Sequence, residues 1–152
     1  MTGLPPGPLM LDTGIYIRFS RGQGYPWLNT DKRIFRRTIL TAVVAAELYA
    51  GTRDRHEKQD LDELCRAHGA LGSLTFPSAA AWVEAGLLVR RARAVWGEME
   101  FARHFRDVLI ALEAIRAGAA LVTENWADFA RWRNLLRSAG RSLQLFDPSR
   151  TN

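Results

Sequence analysis

The sequence predicts an α/β fold, a mainly parallel sheet of roughly five short strands sandwiched between helices. Three observations carry the expectation. Short apolar runs alternate with helical patterns along the chain, as repeated βαβ units require. Several of those runs stop abruptly at Asp, Thr or Asn, residues that cap helices. At 152 residues, with 47% hydrophobic and 24% charged, the chain is long enough and apolar enough for one packed domain.

In order, residues 1–8 are rich in Gly and Pro and read as a flexible lead before a single domain over 9–148, with 149–152 a tail. Leu9, Met10 and Leu11 form the first strand candidate, ending at Asp12, and Thr13-Gly14 turns into the helix IYIRF. RGQGYPWLNT reads as a loop and DKRIFRR as a short basic helix. Thr38-Ile39-Leu40 is the second strand, Thr41 caps AVVAAELYA, and Gly51 ends that helix. A polar helix runs from Arg53 to His68 with Leu61, Leu64 and Cys65 on one face, stopping at Gly69. Leu74-Thr75-Phe76 is the third strand. Pro77 blocks its continuation and Ser78 caps a helix reaching Trp96. A long helix from Phe101 to Ala117 ends at Gly118, the fourth strand spans Ala119 to Val122, a helix covers Asp128 to Arg137, and Ser142 to Phe146 is the fifth strand.

The net charge of +5 and pI near 10.1 suit an anionic partner, although the cations are spread along the chain and only Lys32 and Lys58 are lysines. Cys65 is the sole cysteine, so no internal disulfide forms. No apolar stretch has the length of a membrane span, and the N-terminus lacks a basic region ahead of an apolar one. A cytoplasmic location without membrane contact is the expectation.

In a parallel sheet, ligands sit beyond the carboxyl ends of the strands. Strand one delivers Asp12 there, and strand four delivers Thr123 and Asn125. Each polar residue also has a plain structural reading: Asp12 and Asp128 as helix caps, Asn125 as a turn former, Glu47 and Asp107 as solvated helix positions. Two features favour a site. Glu47 lies in the apolar surroundings VVAAELYA, where an unpaired carboxylate is costly. Asp107 lies off the apolar stripe of Phe101, Phe105, Val108, Leu112 and Ile115, on a lane of Ala111, Ala114 and Gly118 that suits close approach by a ligand or a packed neighbour. Three carboxylates with an amide or a fourth carboxylate make an oxygen-only donor set, suited to Mg²⁺ or Mn²⁺ and not to zinc. His56, His68 and His104 show no metal spacing, and neither a phosphate-binding P-loop nor a G-x-S-x-G elbow occurs.

The segments LMLDTGIYI, TAVVAAELYAG, RDVLIALEAIRAGAALVTENWADF and LQLFDPS, taken in order, resemble the PIN-domain ribonucleases, in particular the VapC-like toxins of type II toxin–antitoxin systems. The third segment is the most specific, and the resemblance spans roughly Leu9 to Pro148. It implies a PIN-like three-layer αβα sandwich and a Mg²⁺- or Mn²⁺-dependent endoribonuclease that hydrolyses RNA phosphodiester bonds. Asp12, Glu47 and Asp107 match the metal-holding acids, Asp128 or Asn125 falls at the fourth polar position, and Thr123 matches a hydroxyl that holds water or phosphate. Gly14 departs from the pattern, since many relatives carry Asn there. The resemblance also implies a cognate antitoxin partner and a homodimer.

Arg18, Arg103 and Arg106, close to the acids in sequence, are the candidates for RNA phosphate contacts; Arg90, Arg91 and Arg93 form a further cluster. Tyr25 and Trp27 suit either base stacking or packing, and Trp82, Leu87, Leu88 and Trp96 either a docking face or core. Two other enzyme classes with Asp after strand one fail: Gly14 removes the second Asp of an aspartyl-phosphate phosphatase, and no late-strand Lys serves a receiver domain. The alternative that remains is a PIN-like scaffold that binds RNA or a partner without cutting.

Overall fold

The computed structural model describes residues 3–150. Residues 1–2 of the expected lead and 151–152 of the expected tail lie outside the described residues. Five strands, β1 (Leu9–Leu11), β2 (Thr38–Thr41), β3 (Leu74–Thr75), β4 (Ala120–Val122) and β5 (Leu145–Phe146), form one sheet in the order β3-β2-β1-β4-β5. Every pairing is parallel, with Leu9 opposite Thr38 on one side and Ala120 on the other. The helices are α1 (Thr13–Ser20), α2 (Trp27–Thr30), α3 (Lys32–Arg37), α4 (Ala42–Ala50), α5 (Arg55–Leu71), α6 (Ala79–Trp96), α7 (Phe101–Arg116) and α8 (Trp126–Ser138).

The path β1→β2→β3 runs one way across the sheet and β4→β5 the other. Right-handed crossovers therefore place α1 to α5 on one face and α6 to α8 on the other. The packing agrees: α1 and α5 lie on α4, while α6, α7 and α8 lie on one another. The sequence reverses direction between β1 and β4, and the crevice beyond their carboxyl ends is where ligands enter such sheets. Both strands are buried throughout, which is why they read as plain apolar runs with no alternation.

The departures from expectation are local. The loop before α3 contains the short helix α2, and Asp31 caps α3 by accepting from the amides of Arg33 and Ile34. Helix α5 passes Gly69 and ends at Gly72, whose left-handed φ of 68° makes the terminating turn. Phe76 lies beyond β3 and is 74% exposed. Helix α8 begins at Trp126, two residues before Asp128, so Asp128 sits in its first turn and does not cap it. Helix α7 carries no single apolar stripe at its centre. Every residue from Val108 to Ala114 is buried, so Ala111 and Ala114 of the small-residue lane are packed, while Gly118 is exposed. Leu88 is core and Trp96 stacks edge-on against Trp132, whereas Trp82 and Leu87 are exposed.

Before β1, the Arg37 guanidinium donates to the carbonyls of Pro5 (2.5 Å) and Gly7 (2.7 Å). No helix among the described residues is long and apolar enough to cross a membrane.

Candidate active site

Asp12 leaves β1 as the N-cap of α1. Its Oδ1 accepts from the Thr13 amide at 2.8 Å, and its Oδ2 accepts from the Thr123 hydroxyl at 2.9 Å. Capping and site-building are therefore one arrangement. Thr123, buried at the end of β4, also accepts from the Asn125 amide at 3.0 Å, so its oxygen ties the two central strands together. The Asn125 side chain donates to Asp128 Oδ2 at 3.3 Å, and Arg103 reaches the same oxygen at 3.2 Å.

Glu47 on α4 and Asp107 on α7 complete the group from opposite faces of the sheet. Glu47 Oε1 and Asp107 Oδ2 are each buried without a hydrogen-bond partner, as is the Thr13 hydroxyl. Native proteins leave few buried polar atoms in that state. Burial pushes the Asp107 carboxyl up to about 7, and Asp12, Asp128 and Glu47 add to the rise while Arg103 opposes it. Asp12 is raised chiefly by burial, against its bonds from Thr123 and Thr13. Glu47 is raised chiefly by burial, with Arg106 opposing, Asp12 reinforcing and the Thr13 hydroxyl, near it but outside hydrogen-bond geometry, also opposing. Four carboxylates thus share one electrostatic neighbourhood. Among the described residues, no group of three His, Cys, Asp or Glu side chains is drawn together tightly enough to hold a metal ion as it stands.

The three arginines proposed for phosphate contact are placed differently. Arg18 is engaged in an ion pair with Glu124 at 2.6 Å, Arg103 bridges to Asp128, and Arg106 is exposed beside Glu47. Glu124 escaped the sequence reading. It accepts a short hydrogen bond from Tyr25, whose ring meets Trp27 edge-on at 5.7 Å. Tyr25 holds a left-handed φ of 60°, rare for a non-glycine residue. A TEN triplet directly after a buried strand, with Glu between two site candidates, was the available signal. Thr13, adjacent to Asp12, is the other residue missed.

Neither a protein-family model nor a curated protein matches the chain. Solved structures do. The chain is similar to VapBC2 of Rickettsia felis bound to a DNA fragment from its promoter, at 23% identity over 91% of this chain and 97% of that one, with a TM-score of 0.62. The chain has a PIN-like fold. The same PIN-like architecture aligns with FitAcB of Neisseria gonorrhoeae at 19% identity, covering 94% and 99% of the two chains with a TM-score of 0.64. VapBC-1 of nontypeable Haemophilus influenzae aligns at 17% identity, covering 93% and 98%, with a TM-score of 0.62.

Proposed function

We propose that the chain is a Mg²⁺- or Mn²⁺-dependent endoribonuclease, the toxin of a toxin–antitoxin pair. The observation that carries this reading is the pair of buried, unpartnered oxygens, Glu47 Oε1 and Asp107 Oδ2, facing the neighbourhood of Asp12. Carboxylates raised by burial and by one another outweigh the nearby Arg103 and Arg106, and an oxygen-only set suits a hard divalent ion. Asp12, Glu47 and Asp107 would hold it, with Asp128 as the fourth acid. A bound ion of this kind supplies Lewis-acid neutralisation of the phosphate and a water of lowered pKa.

The chain's own residues do the rest. Thr123 and the Thr13 amide fix the Asp12 carboxylate, so its orientation is set before any ligand arrives. Asn125 and Arg103 fix Asp128 in the same manner. Arg106, exposed beside Glu47, would meet a phosphate, with Arg103, exposed and bonded to Asp128, a second contact; Arg18 instead positions Glu124.

The antitoxin belongs to the same proposal. A groove of about 890 Å³ between α1, α4 and α5 opens beside Glu47, with Leu48, Leu61 and Leu64 among its lining and with Asp54, Glu57, Asp60 and Glu63 outnumbering Arg21 and Arg53. Apolar lining with a net acidic surround suits an amphipathic helix carrying cations. The similar VapBC structures are of two-protein assemblies by name. A homodimer would use the exposed Trp82, Val83 and Leu87 of α6, and a cytoplasmic location fits such a toxin.

A second reading, a PIN-like scaffold that binds without cutting, is favoured by the absence of three acids gathered for an ion among the described residues. An RNA cleavage assay with Mn²⁺ separates the two. The nuclease reading expects metal-dependent cleavage by the wild type and none by Asp12→Asn or Asp107→Asn. Binding without cleavage by the wild type supports the scaffold, and equal cleavage by all three proteins sinks the assignment of these acids.

A further inference from the structure

The arginines of α6 and α8 fall outside the site, yet the fold arranges them as one surface. Arg90, Arg91 and Arg93 line a shallow concavity of about 580 Å³ at the C-terminal end of α6, where the only acid is Glu98, 3.5 Å from Arg93. Arg91 reaches across to donate to the Ser138 hydroxyl at the far end of α8 (3.3 Å). In the other direction, the Arg131 guanidinium of α8 lies 4.3 Å above the Trp96 ring of α6. Both contacts fix a cation in place while leaving it exposed. Stacking on an aromatic face and a neutral hydroxyl partner preserve the full positive charge, unlike an ion pair.

The direction of this surface gives it meaning. Helix α8 starts at the carboxylate site, with Asp128 in its first turn. Ala127, Arg131, Asn134 and Ser138 recur at helical spacing, and all four are exposed. At ~1.5 Å per residue, Ser138 stands about 15 Å beyond Asp128. The cationic surface therefore leads away from the acids along one helix and ends in the arginine-lined concavity of α6. On the other side of the molecule, Asp54, Glu57, Asp60 and Glu63 outnumber Arg21 and Arg53 around the groove beside Glu47, so its net charge disfavours a polyanion.

We propose that the seam between α8 and the C-terminal half of α6 is a second contact surface for single-stranded RNA, carrying the strand from the carboxylate site past Arg131 to Arg90, Arg91 and Arg93. The proposal rests on the nuclease reading. Its contacts are to phosphates, so it adds affinity and positions the strand without selecting sequence.

The test is a salt titration of binding. Full-length Asp107→Asn protein, unable to cleave, is titrated with a labelled single-stranded RNA of about twenty nucleotides. It is compared with the same protein carrying Arg90→Gln, Arg91→Gln, Arg93→Gln and Arg131→Gln. Four lost phosphate contacts lower the slope of log affinity against log salt by about 3, and weaken binding on the order of 10-fold or more at physiological salt. The four corresponding Arg→Lys changes keep the charge and most of the slope, which separates loss of contact from loss of fold. In the Asp107-intact background, the four Gln changes leave cleavage of an RNA only a few nucleotides long unaltered, because it does not reach the seam. An unchanged slope and affinity in the Gln variant overturns the proposal alone, as does a seam-dependent preference for duplex DNA over single-stranded RNA. If the Asp107→Asn protein binds no RNA and the wild type cuts none, the nuclease reading falls and the seam with it.

Discussion

Helix α7 carries a half-buried carboxylate, Asp107, and a fully buried one, Glu113, about 9 Å apart along its axis. Their treatment is opposite. Glu113 has no exposed surface and is clamped by the Arg116 guanidinium through two bonds of 3.0 and 3.1 Å. Asp107 keeps one buried oxygen without any partner and sits among three other acids. A carboxylate that only has to be tolerated by a fold acquires its cation from the fold. One left short of a partner, in a crevice at the topological switch of a parallel sheet, is the acid that the proposed function gives to a cation arriving from outside.

The largest expected effect comes from removing the charge at the unpartnered end. Asp107→Asn should lower metal-dependent RNA cleavage on the order of 10³-fold, about 4 kcal/mol of transition-state stabilisation, while thermal stability holds or rises because a repulsion disappears. Arg116→Met inverts the pattern. It strands Glu113 in the interior at a cost of about 3 kcal/mol, visible as a fall in Tm, with cleavage measured below the transition unchanged. If Arg116→Met proved neutral and Asp107→Asn destabilising, the two acids would have been assigned the wrong way round.

The sequence made the functional end of this comparison easier to see than the structural end. Asp12 and Thr123 were legible because LML and ALV are apolar runs too short to be anything but buried strands, and each stops at an oxygen. Glu113 was not legible. In ALEAIRAG it forms an i,i+3 pair with Arg116, the same pattern that exposed helix pairs show, and only the packing of α6, α8 and β4 around α7 buries it. The link from Tyr25 to Glu124 spans 99 positions, and no local rule reports it. Asn125 and Asp128 were seen as alternatives, whereas the hydrogen bond between their side chains makes them one unit. The end of α5 was misplaced because Gly69 and Gly72 both offer a stop, and backbone φ alone distinguishes them.

Acidity sharpens the contrast further. Folding raises Asp107 from about 3.8 to about 7, chiefly by burial, and raises Asp12 and Glu47 in the same direction. Between those values the folded chain holds a proton that the unfolded chain has lost, so stability falls as pH rises through that window. With part of the site screened by water, the loss from pH 5 to pH 8 is about 2 kcal/mol. Denaturant melts of the wild type should show this slope and Asp107→Asn should flatten it. Added Mn²⁺ should raise Tm more at pH 8 than at pH 5, since ion and proton compete for the same oxygens.

The smallest effect tests how Asp12 differs from both acids of α7. Asp12 is neither clamped by a cation nor left alone; it is aimed by a neutral hydroxyl, Thr123, which also receives the Asn125 amide. Thr123→Val keeps the shape and removes both bonds, at about 1 kcal/mol of stability. Because the hydroxyl favours the ionised form of Asp12, its loss should raise that carboxyl further and move the acidic limb of the cleavage–pH profile upward, with a fall in kcat of about 10-fold and little change in KM. A purely structural threonine would lower Tm and leave the pH profile in place. A shifted limb at unchanged KM marks the hydroxyl as the element that holds Asp12 ready, the role that Arg116 performs for Glu113 by a direct ion pair, whereas Asp107 has only the more distant charge of Arg103 against three acids.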